Sequence, residues 1–115
     1  MNLDNFFKNV RSQMDSYLKN SLLNMDKAVL NKFNALTEQI ILAKITKDKA
    51  KQAQLKQSLK NLIYEVLTQG LSEAEVKSYE TYYKQVIDVL ADNIFQLLDS
   101  FIGQFLESPA SHLGP

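Results

Sequence analysis

The sequence predicts an all-α fold: an antiparallel bundle of three long helices over about residues 3–44, 47–69 and 73–107. Three observations lead there. No Gly or Pro occurs from Met1 to Gln69, so no residue type that breaks helices interrupts that stretch. Apolar residues recur every three or four positions in each segment, which is helical spacing. Capping and terminating residues fall at the junctions.

The first helix opens near Asp4, whose carboxylate suits the positive end of the helix dipole. One apolar ladder then runs Leu3, Phe7, Val10, Met14, Leu18, Leu22, Met25, Val29, Phe33, Leu36, Ile40. Its ten steps average about 3.7 residues, near the 3.67 of an eleven-residue repeat. The ladder keeps its phase, so one helix is expected from about Leu3 to Lys44, roughly 60 Å long. The alternative is a break near 21–25, with Ser21 or Asn24 as a cap. That gives four helices and a more compact bundle.

Thr46 can cap the second helix, with Asp48 in its first turn. The ladder here is Leu55, Leu59, Leu62, Val66, with Ile63 and Leu67 beside it. The first two turns carry little apolar surface and are expected to project into solvent. Gly70 supplies a left-handed terminator.

Ser72 followed by Glu75 is a capping box for the third helix, read as one element from Glu73 to Glu107. It carries two apolar ladders. One is Tyr79, Tyr83, Val86, Leu90, Ile94, Leu97, Phe101, Phe105, with Val89 added to it; the other is Ile87, Ala91, Phe95, Leu98, Ile102, Leu106. A narrow polar stripe remains: Gln85, Asp88, Asp92, Gln96, Asp99, Gly103. An ordinary surface helix has one apolar stripe. Two neighbours must cover this one, either two helices of its own chain or one of its own and one from a partner. Unequal helix lengths also leave apolar surface uncovered in a monomer, so a homo-oligomer is expected, a homodimer or larger. Residues 1–107 are read as a single domain, and 108–115 as a flexible tail holding Pro109, Pro115 and the sole His, His112.

Formal net charge is zero, but the charge is divided unevenly. Residues 1–60 hold eleven Lys or Arg against five Asp or Glu; residues 61–115 hold two against eight. The simplest expectation is that the two halves pack antiparallel and partly neutralise each other. With no Cys, neither a disulfide framework nor a thiolate metal site can form. Asp4 breaks the apolar start and no basic stretch precedes it, so no signal peptide is read. No apolar run approaches bilayer-spanning length. Length, lack of Cys and richness in Asn, Lys and Gln suggest a cytoplasmic protein of bacterial or phage origin.

The residues point away from catalysis. No Glu-x-x-His pair marks a di-iron bundle. Asp88, Asp92 and Asp99 share a stripe, but their spacing builds no compact oxygen cage, and a solvated face is the simpler expectation. No catalytic residue, cofactor or metal is assigned. Val66, Gly70, Leu71, Ser72 and Val76 have the pattern of a helix-turn-helix corner. The second helix then offers Glu73, Glu75 and Glu80 where a reading helix needs bases or amides, and these repel phosphate. Sequence-specific nucleic-acid binding is therefore not expected.

What remains is a non-catalytic helical interaction module, self-associating and binding a protein or peptide along its helices in an adaptor, chaperone-like or structural role. The interface candidates are Tyr79, Tyr82, Tyr83, Ile87, Phe95, Leu98 and Ile102. The alternative is an amphipathic binder of a lipid or membrane surface. A third reading is polyanion contact without sequence preference, through Lys44, Lys47, Lys49, Lys51 and Lys56 in the basic run that ends at Lys60.

Overall fold

A computed structural model describes residues 3–20 and 25–107. Every element in it is a helix: α1 Leu3–Asn20, α2 Lys27–Ile45, α3 Lys49–Thr68, α4 Glu73–Ser78 and α5 Glu80–Glu107. The all-α bundle is as expected, but two of the three expected helices are divided.

The first division lies before Lys27. Asp26 takes an extended conformation and caps α2, its carboxylate accepting from the Val29 N–H at 2.9 Å. The continuous 60 Å helix is thus corrected to two, as the alternative of a break near 21–25 has it. Ser21, Leu22 and Asn24 lie outside the described residues; the observed cap is Asp26. The unbroken apolar phase misled because a helical hairpin uses the same stripe as a rod. Folding back lets both halves of that stripe enter one core, and burial favours the folded form. In α1 the buried residues are Phe6, Val10, Met14 and Leu18, while Leu3 stays exposed.

The α2–α3 junction is a Schellman turn. The Asp48 N–H reaches the Ala43 carbonyl at 2.9 Å, the Lys47 N–H reaches Lys44, and Lys47 is left-handed at φ 60°. Thr46, expected as the cap of α3, instead ends α2 and donates its hydroxyl to the Leu42 carbonyl. Asp48 is the true cap, accepting from the Lys51 N–H at 3.0 Å. The opening turns of α3 bury nothing, and Leu55, Leu59, Leu62, Ile63 and Val66 enter the core. Gly70, at φ 80°, follows the end of α3 as its sequence context requires. The capping box at Ser72 is complete, with Ser72 Oγ accepting from the Glu75 N–H and the Glu75 carboxylate accepting from the Ser72 N–H.

The second division is at Tyr79, which separates α4 from α5 at φ −112°, ψ 17°. The expected single helix over 73–107 is corrected here. Ser78 donates its hydroxyl back to the Ala74 carbonyl, a bond that bends helices. No residue of α4 is buried, so no packing holds the turn straight. The interruption is local, because the Tyr83 N–H resumes the helical pattern by donating to the Tyr79 carbonyl at 2.9 Å.

The helices α2, α3 and α5 pack on one another, and α1 lies against α2 and α5. Cross-links fix the directions. Gln52 meets Ala43 and Lys32 meets Glu65, so α2 and α3 are antiparallel. Lys56 meets Asp92 and Lys60 meets Asp88, so α3 and α5 are antiparallel. Phe6 stacks on Phe105 at 4.5 Å, and Gln13 shares a cleft with Phe101, which sets α1 antiparallel to α5. The body is elongated, 56 × 28 × 18 Å. Its centre is Met14, Leu18, Phe33, Ile40, Ile41, Leu59, Ile63, Ile94 and Leu98, each at most 1% exposed. Among the described residues no helix is long and apolar enough to cross a membrane.

Candidate docking surface

The two apolar ladders of α5 are not both core. The buried residues are Ile87, Ala91, Ile94, Leu98, Phe101 and Ile102, drawn from each ladder and gathered on one face. Chain neighbours α2, α3 and α1 cover that face. Of the expected interface residues, Ile87, Leu98 and Ile102 are therefore occupied inside the chain's own bundle.

The acidic stripe of α5 is likewise engaged. Lys60 meets Asp88 at 3.1 Å, Lys56 meets Asp92 at 2.5 Å and Lys44 meets Asp99 at 2.6 Å. Phe95 lies within the row, with the Lys44 ammonium 4.7 Å and the Lys56 ammonium 5.3 Å from its ring centroid. Both distances suit a cation–π contact. The hydrogen bond from Lys56, followed by its charge, holds the Asp92 carboxyl below the usual aspartate value; Lys60 adds to this and desolvation opposes it. The stripe is solvated as expected, its three aspartates 50–62% exposed, and it is also a lysine–aspartate rack between α5 and its neighbours. Phe95 is half-buried there, and Lys44 and Lys56, both expected as polyanion contacts, are paired with Asp99 and Asp92. Lys47, Lys49 and Lys51 are exposed at the α2–α3 turn and the start of α3.

The rack realises the uneven charge. Four ion pairs, the three above and Lys32–Glu65, each join a base of residues 1–60 to an acid beyond residue 60. Arg11 pairs with Glu38 within the first half.

On the side of α5 turned away from its core face the surface is apolar and uncovered. At 100° per residue, Tyr82 and Val89 lie roughly 120–180° round from Ile94, Ala91 and Leu98, and Val86 roughly 80–140°. Tyr79 is 56% exposed, Tyr82 60% and Val89 58%; Val86 is half-buried. Steps of three, four and three residues make Tyr79, Tyr82, Val86 and Val89 one seam of the kind that a second helix fills. Tyr83 is half-buried beside it, its ring 6.1 Å from Tyr79 and 6.0 Å from Tyr82. The sequence singles out the three tyrosines as interface candidates and sets Val86 and Val89 on the same apolar ladder as Tyr79 and Tyr83 without naming them; the three–four spacing is the signal that joins them.

A groove of about 550 Å³ adjoins the seam's lower end. Tyr64, Leu71 and Val76 form its apolar part, and Glu73, Lys77 and Glu80 its charged wall. Of the nine large apolar side chains exposed among the described residues, five (Tyr64, Leu71, Tyr79, Tyr82 and Val89) lie between positions 64 and 89. No cluster of three metal-ligating side chains occurs among the described residues.

No protein-family model matches the sequence, and no curated protein or solved structure is significantly similar to it.

Proposed function

We propose that the chain is a non-catalytic helical interaction module that takes a partner helix along the outer seam of α5. The observation that carries this reading is the seam itself. Tyr82 and Val89 on α5, and Tyr79 at the turn just before it, stand more than half exposed at helix-packing spacing, while the core face of α5 is covered. Isolated exposed apolar residues are ordinary, whereas a contiguous row marks a binding surface. Tyrosine suits that role, since its ring packs while its hydroxyl stays wet. The mode is helix-against-helix packing with anchors at three- and four-residue steps.

A photoreactive residue at Tyr82, with a control at Gln54 on α3, tests this in the native cell. A discrete polypeptide adduct at position 82, absent at 54 and lost when Val89 is changed to Glu, is the expected result. No polypeptide adduct at 82, with flotation on anionic vesicles or a shift of duplex DNA at low salt, would replace this reading with the lipid or polyanion one.

A further inference from the structure

Resting on that reading, we propose that the occupant of the seam is a second copy of this chain, packed antiparallel about a two-fold axis beside Gln85. An isologous contact requires one surface to complement itself. The seam does so in size. Antiparallel helices pair the first position of one heptad with the fourth of the other. That register sets Tyr79 against Val89 of the second copy and Tyr82 against Val86. Each large ring then faces a small branched side chain, the alternation that lets facing layers interdigitate.

Charge agrees. The seam carries none, and Ser78 and Gln85 on its open flank are uncharged as well. Two copies bring Gln85 near Gln85, where paired amides can hydrogen-bond across the axis. The next acid along that flank, Asp92, is held by Lys56. With a formal net charge of zero, whole copies do not repel.

Area sets the strength. A fully buried tyrosine covers roughly 200 Å², and two seams pressed together cover on the order of 1,000 Å² in total. That is the lower bound of a specific interface, so the dimer is weak and concentration-dependent.

The chain has no Cys, so single cysteines report pairing directly. The test uses Tyr79→Cys, Val89→Cys, Gln85→Cys and a control, Gln54→Cys, each at about 200 µM with a short bismaleimide linker. Circular dichroism first checks that each variant melts like the parent. Gln85→Cys alone should give covalent dimer at least several-fold above Gln54→Cys. Tyr79→Cys mixed with Val89→Cys should exceed either variant alone by a similar factor. Equal dimer from Tyr79→Cys alone would mean a parallel pair and would overturn the proposal. So would yields at 79, 85 and 89 no greater than at 54. In that last case an adduct from Tyr82 to a different polypeptide in the cell would leave the interaction reading standing and remove only the second copy.

Discussion

Lys56 holds Asp92 at 2.5 Å across the α3–α5 contact, one helical turn from the Lys60–Asp88 pair. Two lysines four residues apart meet two aspartates four residues apart, which only antiparallel helices in this register allow. The rack therefore fixes alignment more than it adds stability, since exposed pairs are individually weak.

The pH dependence follows from the lowered Asp92 carboxyl. A folded-state pKa below the unfolded value makes a contribution that is fully present above the unfolded pKa, near 3.9. It is lost as pH falls through the folded value. Titration followed by carboxyl NMR should place Asp92 below an ordinary aspartate, and Lys56→Met should move it back up. An unmoved Asp92 in that variant would remove Lys56 as the cause. High salt at neutral pH should lower the melting temperature slightly, because it screens these exposed pairs.

Lys47 is the one non-glycine residue with positive φ among those described. A side chain costs energy there that glycine does not. Lys47→Gly should raise stability by about 0.5–1 kcal/mol in urea unfolding. A loss of stability would contradict the Schellman geometry of the α2–α3 turn.

Folding back at Asp26 puts Asn9 and Gln104 on the walls of one cleft. An unbroken first helix would carry Asn9 roughly 50 Å from the Lys44 end, far from the end of α5. Spin labels at Asn9→Cys and Gln104→Cys, diluted with unlabelled protein, should report a distance within about 20 Å, allowing for two label tethers on facing helices. A distribution centred near 50 Å would restore the rod.

What the sequence made legible was local chemistry. The Ser72–Glu75 box and Gly70 name their roles by residue type, and the ladder from Leu55 to Val66 is the buried face of α3. The halves' opposite charge foretold the rack in general but not its pairs, because pairing depends on register. Continuous apolar phase left the break before Lys27 undecided between rod and hairpin. The irregularity at Tyr79 had no residue-type signal, since its causes are the Ser78 back-bond and the lack of packing under α4. On α5 both ladders are equally apolar. Which parts are core depends on where α1, α2 and α3 lie, and so the sequence names Ile87, Leu98 and Ile102 as interface candidates and leaves Val86 and Val89 without a role.

Under the proposed function, α5 has two apolar faces with different roles, one core and one docking seam. The same substitution on each face tests it. Leu98 is 0% exposed and Val89 58%, so Leu98→Glu puts a charge into the core while Val89→Glu leaves it in water. Circular dichroism melting beside sedimentation velocity of both variants and the parent is the measurement. We expect Leu98→Glu to lose cooperative melting. Val89→Glu should melt within a few degrees of the parent yet sediment as a 13.1 kDa monomer at concentrations where the parent associates. A Val89→Glu variant that unfolds like Leu98→Glu, or a Leu98→Glu variant that melts like the parent, would contradict the division of α5 into core and seam.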